Sequence, residues 1–480
     1  MSKLKYPRDM FSLREGEKPM YGEAPNVKRA AEFFRSLITP EEWRDRRLAI
    51  AQWFYSSLIG EAVDPTGKGR FFDSRDLFGW QLFLAEAFTD HPWNYDPIYG
   101  SRVIPIFTAI GAALDLLLKV DGFAARAAKL VGSDKGQPNG PLFEMLVAAA
   151  YAREGAKVAF RDQTPGQAKS HDLDVELKGK KWAIECKRME GGEYHEEERA
   201  RMRELWKEPC LLLVRQRCNA ILDVKFKVEL KDVPDDYLLQ KTERFLRRSV
   251  SYNGWIDRIA EGTIQNLSLE PLQRAIQEKG HLLHPSPKFS ELLMGRYERS
   301  DNTLMIISAK PASNPHFLSG VNFATACRWI SASEEAIDKK ARDIMKRLSE
   351  ANSQLPADVS GVVHIGFEAL GEDQIEQRRF EKIIETACKF ERGQSGLQVV
   401  YCHYFAPDPA PDEVWAIDET VQWFAVSPDT RPLEHGTLLP SDTEGRPGVH
   451  WKAPEASRTK LGRALSAKEL DVALIADGNS

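Results

Sequence analysis

The stretch from Pro141 to Lys187 constrains this chain most, because its periodicity changes twice within one continuous segment. Pro141 to Arg153 places Leu142, Phe143, Leu146, Val147 and Ala150 at helical spacing, and Gly155 stops it after Glu154. Lys157 to Phe160 reads as a first strand. His171 to Leu177 then alternates polar and apolar, Lys178-Gly179-Lys180 supplies a tight turn, and Lys181 to Lys187 alternates again. A helix followed by three strands, two of them a hairpin, predicts an α/β core.

A hairpin of this composition gathers charge. Side chains alternate along a strand, so Glu185 and Lys187 share one face while Ile184 and Cys186 take the other. Asp172 and Asp174 also share a face on the partner strand, and either is placed to reach the same cation. Hydrolysis of a phosphodiester needs a hard cation held by carboxylates, an activated water and a positive group against the growing phosphate charge. The hairpin supplies all of these residue types. The bland reading of Glu185 and Lys187 taken alone is an exposed ion pair.

Asp172, followed by Glu185-Cys186-Lys187, resembles the core motif of the PD-(D/E)XK, restriction-endonuclease-like nucleases; His171-Asp172 stands where the proline-aspartate pair would be. Glu144, on the helix before the first strand, matches a glutamate many members carry there. The resemblance covers residues 141 to 188. It implies a mixed sheet flanked by helices and a Mg²⁺-dependent nuclease in which Mn²⁺ substitutes, acting on nucleic acid, DNA favoured. It implies Asp172, Glu185 and the Cys186 carbonyl as metal ligands and Asp174 in reserve. Lys187 would orient the attacking water, and Glu144 would bind a second metal or a metal-bound water. Such proteins serve restriction, phage defence and repair. The alternative is a catalytically silent nuclease fold that binds nucleic acid or a partner protein.

Other motifs fare less well. Asp172-x-Asp174 lacks the glycine-rich phosphate loop of a nucleotide-sugar transferase. His195 opens HEEER without the second histidine of a zinc protease and is expected to be solvated. Cys402 and His403 are adjacent on a strand and face opposite ways. Six cysteines without a CxxC pair fit a reducing cytoplasm and no structural zinc. The net charge of −5 announces no global attraction to nucleic acid, so a track must be local. The candidates are Arg244, Arg247 and Arg248 followed by Tyr252 and Trp255, and Arg188, Arg199, Arg201 and Arg203 beside Lys187. Charged helices also carry such runs as solvated faces.

At 480 residues the chain exceeds one simple core. Residues 1–25 read as a flexible arm and 26–135 as a helical domain, whose Thr39-Pro40-Glu41-Glu42 is a helix start. The nuclease core is expected over 141–230, with a charged helix from Glu193 to Trp206 and strands in LLLVRQ and ILDVKFKVEL. Residues 231–330 read as a helical and α/β insertion with a buried strand at Thr303 to Ser308. Residues 331–426 alternate helix and strand and end in a strand pair from Val414 to Val426; either this part or Glu193 to Leu230 completes the sheet. Residues 427–480 read as a poorly ordered tail with Trp451 as its one anchor. The N-terminus carries no apolar signal, and Val103 to Val120 is interrupted by Pro105 and Asp115, which predicts a soluble protein; a homodimer or a partner protein is compatible with the pattern.

Overall fold

The computed structural model describes residues 10–13, 23–59, 70–161, 170–189, 192–248, 250–298, 302–369, 373–408, 416–426, 431–434 and 436–439. It is a mixed α/β structure with two mixed sheets. The first contains β1 (Lys157–Phe160), β2 (Leu173–Leu177) and β3 (Lys180–Met189). The second contains β4 (Ala220–Phe226), β5 (Tyr252–Ile256), β6 (Ala260–Asn266), β7 (Leu282–Leu283), β8 (Asn302–Pro311) and β9 (Phe317–Ser331). The chain then returns to the first sheet as β10 (Ser360–Glu368), β11 (Leu397–Asp408) and β12 (Ala416–Ala425).

The order of the first sheet, β1-β2-β3-β10-β11-β12, follows from local and distant pairings. The β2–β3 hairpin turns at Lys178 and Gly179, both at positive φ (51° and 77°), so glycine sits where a side chain would be strained. On its other edge β3 pairs in parallel with β10, from Trp182 opposite Ser360 to Met189 opposite Phe367. The late α/β part therefore completes the sheet, and Glu193 to Leu230 does not. Everything from 193 to 331 stands between two neighbouring strands as a unit with its own sheet.

The helix Asn139–Arg153 lies between this sheet and the N-terminal helices, so Pro141 to Ala152 are all buried rather than one stripe of them. The same crowding explains the helix Leu77–Asp90, buried from Phe78 to Thr89. The predicted start at Thr39 is present: its Oγ1 accepts from the Glu42 amide at 3.2 Å.

Several expectations fail for physical reasons. LLLVRQ is no strand; Cys210 and Leu213 continue the apolar stripe of Met202, Leu205 and Trp206 along one helix, Glu193–Arg215. Within the insertion at 231–330, where the sequence marks only Thr303 to Ser308 as a strand, β5 and β6 form an antiparallel pair. β8 is not buried: it pairs only with β9, and Ile306 is 47% exposed. Of the span Val414 to Val426, the described residues 416–426 hold one strand, β12, rather than two. Of the flexible arm, residues 10–13 include a docked segment, with Trp93 Nε1 and Asn94 Nδ2 donating to the Met10 carbonyl at 3.1 and 2.7 Å.

Part of the expected tail is docked as well, by a buried polar chain. Tyr151 Oη lies 3.2 Å from His364 Nε2, His364 Nδ1 lies 2.9 Å from His403 Nε2, and His403 Nδ1 lies 2.9 Å from Glu419 Oε1. One set of tautomers satisfies every link: the Tyr151 hydroxyl donates to His364, His364 to His403, and His403 to the carboxylate. Burial holds both histidines well below their usual range, so both are neutral. Glu419 also accepts from the amides of Leu438 and Leu439, which fixes residues 436–439 to β12. Cys402 faces the opposite side, as the alternation requires. Trp451 and the remaining tail lie outside the described residues. Among the described residues no helix is long and apolar enough to cross a membrane.

The helical unit is organised around a buried charge. Glu86, 1% exposed, accepts from Arg35 at 2.7 Å, Arg47 at 2.8 Å and Trp43 at 3.1 Å. Burial alone would raise its carboxyl; His91, Arg47 and Arg35 outweigh that and hold it at about 2. A carboxyl held there rather than at 4.5 contributes on the order of 3 kcal/mol of stability at neutral pH. Because the folded value is the lower one, this contribution is full above the unfolded value and disappears as pH falls through the folded one. Glu86→Gln should therefore lower the melting temperature strongly at about pH 7 and much less at about pH 2.5; an equal loss at both, by calorimetry, would contradict the assignment.

Candidate active site

Four of the residues singled out in the sequence meet where β2 and β3 part from one another. Asp172 lies just before β2, and its Oδ2 accepts from the Cys186 amide at 2.8 Å. A side-chain carboxylate thus takes the place of a ladder carbonyl and pins Asp172 to β3. Glu185 and Lys187, two residues apart on β3, share a face, and Lys187 Nζ lies 2.5 Å from Glu185 Oε1. Glu185 is 1% exposed, and its Oε2 has no hydrogen-bond partner among the described residues. Glu144 comes from the buried helix Asn139–Arg153 and is clamped at both oxygens by Arg126, at 2.8 and 2.6 Å.

Three buried carboxylates within reach of one another's charge repel. Burial and then the Asp172 charge push the Glu185 carboxyl up to about 8, against the opposing pull of Lys187. Burial and Asp172 likewise lift Glu144 to about 7, with Arg126 pulling it down. Asp172 is itself raised by burial, against the Cys186 amide and the charges of Lys187 and Arg126. Three negative charges face two positive ones, so one further positive charge balances the site. A proton or a cation supplies it.

The donor set is hard oxygen, the set that suits Mg²⁺ or Mn²⁺. Asp172 and Glu185 face one another across the site, and theirs are the oxygens such an ion would take. Both oxygens of Glu144 are engaged with Arg126, so Glu144 suits a role through water better than direct ligation. Among the described residues no three His, Cys, Asp or Glu groups are already set at ligating geometry.

Asp174, the reserve ligand, stands apart. It is half exposed and bonds Arg161 at 2.8 Å and His171 at 2.7 Å. Arg161, its partner at the end of β1, was not singled out in the sequence. The Cys186 thiol is buried in the apolar core, and burial pushes it well above its ordinary value, so only its backbone serves the site. His195 is half-buried rather than fully solvated; burial and Arg199 lower it to about 4. Arg126 was missed because it lies on a helix of the N-terminal unit, Phe123–Val131, with no motif marking it.

The two basic candidates separate. Arg188, Arg199 and Arg203 line one cavity, while Arg201 ties its helix to Asp235 at 2.6 Å. Arg244, Arg247 and Arg248 lie on the helix Tyr237–Arg248 of the second unit, with Arg247 paired to Glu243 at 3.1 Å and Arg248 bonded to Asn253 at 3.4 Å. Tyr252 beside them is 57% exposed, whereas Trp255 donates to Tyr237 at 3.0 Å.

No protein-family model, curated protein or solved structure matches this chain.

If repulsion among the carboxylates dominates, removing one charge while keeping its shape stabilises the metal-free protein. Glu185→Gln in EDTA at about pH 8 should melt roughly 2 °C or more above the unaltered protein. A lower melting temperature would mean that the Lys187 ion pair outweighs the repulsion.

Proposed function

We propose that this chain is a divalent-metal-dependent nuclease that hydrolyses phosphodiester bonds of nucleic acid, DNA first among its substrates. The observation that carries the reading is the buried facing pair Asp172 and Glu185, with a Glu185 oxygen unpartnered and Lys187 beside it. Its place on a helix-and-hairpin frame, in the order shared by the PD-(D/E)XK nucleases, supports the same reading.

In this proposal Asp172 and Glu185 hold Mg²⁺ or Mn²⁺, which when bound would polarise the scissile phosphate and acidify a water. The chain's own contribution is electrostatic. Lys187 is half-buried, and the adjacent carboxylate keeps its ammonium on the face where the carboxylates converge. There it is placed to orient the attacking water and to oppose the charge that builds on the phosphate. The Cys186 amide fixes Asp172 through a backbone bond, which removes rotamer freedom from that ligand. Arg126 holds Glu144 at the edge of the site, where it adds negative charge and accepts from water.

One observation favours a second reading, a silent fold that binds without cutting. A single proton on Glu185, whose carboxyl is lifted to about 8, balances the site with no metal at all.

The test is incubation with linear, circular and single-stranded DNA and with RNA in Mg²⁺, Mn²⁺ and EDTA. We expect metal-dependent cleavage by the unaltered protein and a loss of roughly 100-fold or more in Lys187→Ala, checked by melting temperature to be folded. Equal cleavage by Lys187→Ala removes the mechanism. No cleavage by either, with nucleic-acid binding retained in Glu185→Ala, favours the silent fold.

A further inference from the structure

A second concave site lies on the opposite side of β3. Arg188 follows Lys187 and by strand alternation points to the other face, where its guanidinium lies 5.0 Å from the centre of the Phe405 ring. There it borders a cavity of about 560 Å³ between the N-terminal helices, the ends of β10 and β11, and the helix Glu193–Arg215. That volume is within the range of small-molecule sites.

The walls are of two kinds. On the helical side are aromatic rings: Phe72 and Trp80 stack at 5.8 Å, and Tyr99 meets both edge-on at 5.2 and 6.1 Å. Three buried polar atoms on lining residues have no hydrogen-bond partner among the described residues: Trp80 Nε1, Gln81 Oε1 and Asp96 Oδ2. Each residue is otherwise held in place. Gln81 donates to Asn139 at 3.2 Å through its other end, and Asp96 caps the helix Pro97–Ala112 through Oδ1, which accepts from the Tyr99 amide at 2.8 Å. Buried donors and acceptors are ordinarily satisfied; these three sit just behind the cavity surface, closed off from it, so a small shift of the wall side chains would bring them to the polar edge of a ligand.

The other wall is rich in arginine and also carries Glu196 and Glu368. Arg102 and Arg188 both reach Glu368, at 3.2 and 3.8 Å, and their charge is partly spent there. Arg199 and Arg203, one helical turn apart, have no carboxylate partner among the described residues. Two guanidinium groups at this spacing suit the oxygens of a phosphate.

We propose that this cavity binds a nucleoside phosphate, with the phosphate on Arg199 and Arg203 and the base against the ring cluster, its edge meeting Trp80, Gln81 and Asp96. The chemistry is the same for a free nucleotide and for the terminal nucleotide of a strand. The site is independent of the nuclease reading, because none of its groups belongs to the carboxylate cluster.

Titration calorimetry on the full chain tests it, with AMP, GMP, CMP, UMP, a 5′-phosphorylated dinucleotide and inorganic phosphate as probes. Saturable binding of at least one nucleotide with Kd below about 100 µM is expected, weakened about tenfold or more in the double variant Arg199→Ala, Arg203→Ala and retained in Lys187→Ala. Tighter binding of a mononucleotide assigns the site to free ligand, and tighter binding of the dinucleotide assigns it to a strand end; both uphold it. Trp80→Phe, folded by circular dichroism, should weaken nucleotide binding without altering any response to phosphate. Absence of saturable binding, binding unchanged in the double variant, or inorganic phosphate binding as tightly as every nucleotide overturns the proposal.

Discussion

The parallel pairing of β3 with β10 is the contact on which the remainder of the molecule depends. It joins residues separated by the whole second unit, and the loop-closure entropy of that separation must be met by the apolar residues it buries. Ile184, Val362, Val363 and Ile365 are completely buried at this seam. Because successive side chains on β3 point to opposite faces, the same pairing fixes two environments at once. Glu185 and Lys187 face the carboxylate cluster, and Arg188 faces the ring-lined cavity. A one-residue slip would exchange these faces, so the register sets both environments along with the packing.

Charge balance sets the character of the candidate active site. A carboxylate removed from water is costly unless paired, and here three are brought together against one lysine and one arginine. Contrast Glu86, where His91, Arg47 and Arg35 around one carboxylate outweigh its burial and pull its carboxyl down. The first arrangement is deficient in positive charge and the second is not. Sites that need a cation differ from sites that are merely held together in this respect.

Much of the site was legible before the fold was known, because it is local. The helix, glycine stop, strand and hairpin lie within about fifty residues, and alternation alone places Glu185 and Lys187 on one face. β10 and β11 were legible as continuous apolar runs of the kind a parallel sheet buries on both faces. What was not legible depends on contacts distant in sequence. Leu211 to Gln216 read as strand because the run is short and apolar, and only the phase of Cys210 and Leu213 with Met202 and Trp206 shows the helix. β5 and β6 are polar, with few apolar positions to betray a period, and the apolar pattern of β9 is broken by Gly320, Asn322 and Arg328, the last of them buried all the same. Arg126 carries no motif. Arg199, Arg201 and Arg203 read as one basic run, a candidate track or a solvated helical face, and only the cavity distinguishes Arg199 and Arg203 from Arg201, which is tied to Asp235.

The central claim is that Asp172 and Glu185 form one divalent-cation site rather than a proton-bridged pair. Electron paramagnetic resonance of Mn²⁺ titrated into the protein tests it without reference to any substrate. The account predicts saturable loss of the free Mn²⁺ signal at one ion or more per chain, abolished in Asp172→Asn that remains folded. A signal that tracks free Mn²⁺ throughout, or binding unchanged in Asp172→Asn, would contradict it.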